Sequence, residues 1–197
     1  MTKSERTRQM IIEHAAPIFN EKGIAGTSID DVLLSAGVAK GCLYGHFESK
    51  EELSYASLDY MLGKLIERRE SFISPEITAK DKLYAYMEMH KNPLKSMFPG
   101  GCPLLNFSAE ADDTNPIIKQ KIKKHMLSAI KTLGGIIRGG IESGEFDTKL
   151  DPNDFATKMF SSIEGGIMLC RITQSISPMQ TITKSLKDEI EYHTLKK

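Results

Sequence analysis

Apolar residues return every three or four positions along almost the whole of this chain, and that spacing commits it to helices. Over residues 4–21 the stripe is Ile11, Ala15, Ile18 and Phe19; over residues 116–141 it is Ile118, Ile122, Met126, Ala129, Leu133 and Ile137. Aromatic residues are sparse, Trp is absent, and Lys, Glu, Met and Ile are frequent, which suits helix packing better than a sheet. A chain of 197 residues buries roughly 70% of its unfolded surface, enough for one core or two small ones. The fold class is therefore all-α.

Punctuation divides the chain into about nine helices: residues 4–21, 27–35, 39–45, 50–72, 78–96, 102–111, 116–141, 152–174 and 178–195. Pro17 is expected to kink or loosen the first, and Lys22-Gly23 to stop it. Thr27 is placed to cap the second, with Asp30 three residues on. Gly37 makes the turn to the third, and Pro99-Gly100-Gly101 is the clearest break in the chain. Pro116 suits a first helical position.

Composition excludes more than it assigns. No apolar run is long enough to cross a bilayer, and the N-terminus lacks the apolar core of a signal peptide, so a cytoplasmic protein is expected. Cys42, Cys102 and Cys170 lie far apart and fit neither a disulfide framework nor a zinc site. The five histidines (14, 46, 90, 125 and 193) have no metal-binding spacing, and no compact nucleophile, phosphate-loop or paired-carboxylate motif stands out. No metal, cofactor or catalytic residue is assigned. The formal net charge is zero. Through Leu53 the basic residues Lys3, Arg6, Arg8, Lys22, Lys40 and Lys50 are outnumbered by Glu5, Glu13, Glu21, Asp30, Asp31, Glu48, Glu51 and Glu52. Any nucleic-acid contact there must rest on local placement of charge, because the net charge opposes it.

Two short helices joined at Gly37 and set between longer ones form a helix-turn-helix pattern. Periodicity alone leaves this open between a DNA-reading unit and an ordinary three-helix packing unit. The residues themselves narrow the choice. The segment TSIDDVLLSAGVAKGCLYGHFESKEEL, residues 27–53, closely resembles the DNA-binding domain of the TetR/AcrR family of transcriptional regulators, and the likeness extends upstream through Ile11, Ala15, Phe19 and Gly23. AGV at the turn, LYGHF in the recognition helix and SKEEL at the next start form a long ordered pattern. The chain departs from it at Ala39, where the family often has serine or threonine, and at Leu33, where it often has alanine.

The resemblance implies residues 1–48 as a helix-turn-helix domain and residues 49–197 as a ligand-binding and dimerisation domain, with 49–72 as the connecting helix. It also implies DNA contacts at Thr27, Ala39, Lys40, Gly41, Cys42, Tyr44, His46 and Lys50. Thr27 and Lys50 stand at helix starts where hydroxyl, ammonium and backbone N–H groups can hold phosphate. Ala39 has no hydroxyl to offer, so anchoring there falls to backbone N–H groups, Lys40 or Tyr44. Lys40 reaches phosphate or a base edge, and Gly41 permits close approach. Cys42 either enters the groove or packs; Tyr44 and His46 either bind the DNA backbone or make local contacts; Phe47 packs in the core.

Two-fold pairing is expected to set two recognition helices in successive major grooves of a roughly palindromic operator. Candidate pairing residues on the last two helices are Phe155, Met159, Ser162, Ile163, Gly166, Ile167 and Cys170, then Ile182, Leu186 and Ile190, the alternative being an intramolecular core. Small Ser162, Gly165 and Gly166 would permit tight crossing. Candidate walls of a ligand pocket are Phe72, Leu83, Tyr86, Met87, His90, Met97, Phe98, Cys102, Phe107, Met126 and Ile130, each of which also reads as plain core. The GCPLLN segment, residues 101–106, resembles a signature of one family subgroup, and Cys102 within it is alternatively a reactive sensor. The expected activity is a homodimeric repressor released from DNA by a small apolar or amphipathic effector. A ligand-dependent activator, or a ligand-binding dimer or enzyme with little DNA activity, is the alternative.

Overall fold

In the computed structural model, which describes residues 1–195, the helices are α1 (Lys3–Gly26), α2 (Ile29–Ala36), α3 (Lys40–Tyr44), α4 (Lys50–Ile73), α5 (Ala79–Met89), α6 (Pro103–Ala111), α7 (Pro116–Glu142), α8 (Pro152–Thr173) and α9 (Ser177–His193). They form two compact units. The first comprises Met1–Leu65 with Ser96–Ile122, and the second Ile66–Lys95 with Lys123–Lys197. The all-α reading holds; an antiparallel bridge between Phe146 and Thr194 is the single β pairing among the described residues.

In the first unit α1 stays helical through Pro17, and the interruption falls instead at Gly23, whose φ of 73° and ψ of 172° leave the helical region. A positive φ is tolerated by glycine, so the break sits where a side chain would be strained. The break frees backbone groups that other helices then satisfy. Glu110 of α6 accepts from Ile24 N and Ala25 N at 2.8 and 2.9 Å. Asn106 of α6 donates to Asn20 O, Asn20 Oδ1 and Gly100 O at 2.9 to 3.1 Å. Asn20 in turn donates to Pro99 O and Gly101 O. A Cβ on Gly100 would lie 2.6 Å from Asn20 O, so the glycines of the 99–101 turn let it lie directly against α1. The GCPLLN segment is thus a docking element, in which Asn106 ties α6 to α1.

Thr27 does not cap α2. It is the C-cap of α1, 1% exposed, with its hydroxyl donating to Gly23 O at 2.6 Å. Ser28 takes the N-cap and forms a capping box with Asp31 rather than Asp30. The fifth helix, α5, ends early: Met89 is its last residue, not Ser96, because Pro93 lacks an N–H and disfavours a helical Asn92. Around these elements Ile11, Ala15, Phe19, Val32, Leu43, Phe47, Leu53 and Leu58 are buried, as are Leu104 and Phe107 of α6.

The second unit packs α8 against α9, with α5 also on α9. Its last helix stops at His193 rather than Leu195; Asp147 N and Leu195 N close the bridge by donating to His193 O and Glu145 O. Glu145 accepts from the first backbone N–H groups of α5, Ala79 and Lys80, at 2.8 Å each. The interior also holds charge: Arg69 is 7% exposed, His125 8% and Glu164 8%. Burial, with Arg69 nearby, pulls His125 down from 6.5 to about 4. Burial and Arg68 do the same to His90, which keeps more of its surface in solvent.

Two outcomes follow for folding. Replacing Asn106 by Ala leaves the facing Asn20 and Gly100 carbonyls without their donor and should lower stability by ~2 kcal/mol in urea denaturation. Lowering the pH should also destabilise the protein. A histidine neutral when folded takes up its proton first in the unfolded chain, so its contribution is whole above about pH 6.5 and is lost as pH falls towards about 4. At about pH 5 the loss from His125 is ~2 kcal/mol relative to neutral pH, and His125→Gln should flatten that part of the curve.

Candidate nucleic-acid interface

The helix-turn-helix closes at Gly37, whose left-handed φ of 64° ends α2 as its N–H donates to Leu33 O at 2.9 Å. Helix α3 is short and is held by its apolar residues. Leu43 is fully buried and Phe47, just beyond its end, is 1% exposed, which turns Lys40, Gly41 and Tyr44 outward. Cys42 and His46 flank that face half-buried. Ala39 is the N-cap and supplies no side-chain hydrogen bond. Nothing lies within 4 Å of where a Cβ on Gly41 would stand.

Some of the cations near this face are paired and others are not. Lys22 pairs with Asp31 at 2.9 Å, and that hydrogen bond, with those from Ser28, lowers Asp31 to about 2. Arg8 lies 4.6 Å over the Phe47 ring and 3.6 Å from Glu52. Lys40 has no carboxylate partner among the described residues; its ammonium lies 6.0 Å from the Tyr44 ring centre. A shallow concavity beside α3 is lined by Tyr44, Gly45, His46, Phe47, Glu48 and Glu52, and its two carboxylates make it a poor seat for phosphate.

Thr27 and Lys50 differ from the rest of the set. The Thr27 hydroxyl is spent inside the unit, which removes it as a phosphate donor. Lys50 Nζ donates to Ile24 O at 2.9 Å and Thr27 O at 3.1 Å, so two of its three N–H groups hold the end of α1. Spacing alone could not separate these roles, since a lysine at a helix start reads the same either way.

The pocket candidates divide between the units. Leu83, Tyr86 and Met87 are buried and Phe72, His90, Met126 and Ile130 half-buried in the second; Phe98 and Phe107 are buried and Cys102 half-buried in the first. Met97 is 39% exposed in the irregular stretch after α5. Sequence reading passed over Arg69 and His125. Both occupy apolar stripes, Leu62, Ile66, Arg69 and Ile73 on α4 and Ile118, Ile122, His125 and Ala129 on α7, and a charge at such a position was the available signal.

The pairing residues require a correction. Phe155, Met159, Ile163, Gly166, Ile167 and Cys170, with Leu186 and Ile190, are buried within the single chain, where α8 lies on α9. A Cβ on Gly166 would stand 2.8 Å from Ile182 and 2.9 Å from Met179, so the close crossing is intramolecular. Ser162 and Ile182 are half-buried. The opposite face of α8 is the open one: Ser161, Gly165, Met168, Leu169 and Ile172 recur at helical spacing, with Met168 52%, Leu169 46% and Ile172 81% exposed. On α9, Tyr192 is 79% exposed.

Among the described residues, no group of three or more His, Cys, Asp or Glu is placed to hold a metal ion, and no helix is long and apolar enough to cross a membrane. Residues 11–56 match the family described as bacterial regulatory proteins, tetR family, and residues 79–186 match the tetracyclin repressor-like, C-terminal domain. The chain is 30% identical over 164 residues to the fatty acid metabolism regulator protein of Bacillus subtilis, covering 82% of each. Its fold matches a TetR-family transcriptional regulator from Cytophaga hutchinsonii with a TM-score of 0.93 at 39% identity, covering 100% of this chain and 99% of the other. A TetR regulator from Chloroflexus aurantiacus matches with a TM-score of 0.93 at 31% identity and 98% coverage of each. A chain whose helix-turn-helix and C-terminal part both match in this way belongs to the TetR/AcrR family of DNA-binding transcriptional regulators.

Proposed function

We propose that this protein is a sequence-specific, homodimeric repressor that leaves a palindromic operator when a small apolar or amphipathic molecule binds its C-terminal part. The observation carrying the DNA reading is the outward face of α3, where Lys40 stands without an anionic partner beside the exposed Tyr44 while Leu43 and Phe47 fix the helix from behind. Lys40 supplies charge to phosphate or a base edge, and the Tyr44 hydroxyl and His46 ring bind the DNA backbone. Gly41 and Cys42 admit the groove edge. The backbone near Ala39 approaches phosphate without a hydroxyl. Thr27 and Lys50 act mainly by holding the break in α1, and the third Lys50 N–H is left for phosphate.

Pairing is assigned to the outer faces of α8 and α9, through Met168, Leu169, Ile172 and Tyr192. An apolar stripe of this kind along one helix suits a second copy of itself, because two-fold symmetry brings the same stripe to both sides. The arrangement would set two α3 helices about 34–36 Å apart, one turn of DNA.

Release is assigned to a population shift. The ligand favours a form in which the helix beginning at Lys50 carries the first 48 residues to a spacing that no longer fits the operator. Within the first unit, the bonds from Glu110 and Asn106 of α6 to α1 are the contacts through which a shift of α6 would reach the helix-turn-helix.

Competition between a palindromic fragment from the protein's own promoter and unrelated DNA tests this reading. The palindrome should win at moderate salt, and equal binding would contradict sequence-specific regulation. Lys40→Ala should weaken all sequences alike and lower the salt slope by about one if it holds phosphate, or relax one base position if it reads a base. Ile172→Glu with Leu169→Glu should give a folded monomer in sedimentation and lose operator affinity; an unchanged dimer would move the interface elsewhere.

A further inference from the structure

Arg69 lies on the apolar stripe of α4 and is 7% exposed, yet it makes no hydrogen bond and no ion pair among the described residues. Its Nε is buried without a partner. A guanidinium carries five N–H donors and stays protonated at any physiological pH, so it cannot escape the cost of burial by losing its charge. Buried charges are otherwise paired, because an unpaired one forfeits its hydration with nothing in exchange. Glu164 is another buried acidic or basic side chain in this unit. Burial and the charge of Arg69 together hold the His125 ring neutral. His125 also makes no hydrogen bond among the described residues, and so keeps one ring donor and one acceptor to offer.

A cation with unused donors, a neutral imidazole beside it and apolar residues along both helices make a site for a molecule with an apolar body and one negative end. We infer that the second unit recognises a carboxylate-bearing amphipathic molecule, whose carboxylate is taken by the Arg69 guanidinium and hydrogen-bonded by His125. A carboxylate matches the planar guanidinium fork and its single charge balances that of Arg69. A phosphate monoester would bring a second charge into an interior that already holds Glu164. This deepens the proposed function and rests on the second unit being its sensing part.

Calorimetry on the full-length protein with matched pairs, dodecanoate against dodecanol and phenylpropanoate against phenylpropanol, tests the assignment. At least one carboxylate should bind at least about tenfold more tightly than its alcohol, as expected for a charge-assisted hydrogen-bonded pair. Arg69→Met should abolish that preference and Arg69→Lys should keep part of it. Without ligand, Arg69→Met should melt above the wild type, since an uncompensated buried charge has been removed. Carboxylates binding no better than alcohols, no carboxylate binding at all, or a preference that survives Arg69→Met would each overturn the inference; so would Arg69→Met melting below the wild type. If the alcohols bind and release operator DNA with no carboxylate preference, the sensing role stands and only the part given to Arg69 falls. If compounds bind and DNA is never released, the proposed repressor mechanism fails instead.

Discussion

The first unit is organised around the break in α1 at Gly23. A helix that stops being helical in its last turn releases N–H and C=O groups that need other partners. Here they are taken by side chains, two of them from other helices: Glu110 of α6 on Ile24 and Ala25, Lys50 of α4 on the carbonyls of Ile24 and Thr27, and the α1 C-cap Thr27 on Gly23. The backbone between Gly23 and Thr27 thereby joins α1, α4 and α6. The turn into α2, and through it the setting of α3, follows from where that segment is held. Glycine is demanded by the positive φ, and a Cβ there would also stand 2.9 Å from the Glu110 carboxylate and push it from its place.

The same economy governs charge. In a DNA-facing unit with more acidic than basic residues, what matters is which charges are paired and where the unpaired cations stand. Asp31 is occupied by Lys22 and by the α2 cap, Glu110 by backbone N–H groups, and Glu52 by Glu48 N. Lys40 remains outward on α3. Local pairing, rather than net charge, decides what approaching DNA would meet within a Debye length of the surface.

Much of this was legible in the sequence. The helices and the glycine turn follow from periodicity and punctuation, and Leu43 and Phe47 had to face inward if α3 was to pack at all. What was not legible shares one physical cause, that a side chain's neighbours lie far away in sequence. Thr27 and Ser28 can each cap a helix, and each has an aspartate three residues later; the Gly23 break chooses Ser28 by claiming Thr27. Helix α8 is apolar on two faces, and periodicity cannot say which of them meets its own α9. The face with the longer stripe turned inward, leaving Met168, Leu169 and Ile172 outside. Arg69 and His125 look like polar exceptions on core stripes until the structure buries both and leaves Arg69 Nε without a partner.

The central claim is that two copies of this chain read an inverted repeat. Selecting bound fragments from a random DNA pool and sequencing them tests it most directly. The account predicts enrichment of two related half-sites in inverted orientation, their centres separated by one turn of the duplex or a whole multiple of it. A selected pool indistinguishable from the starting one, or a single half-site without its inverted mate, would contradict it.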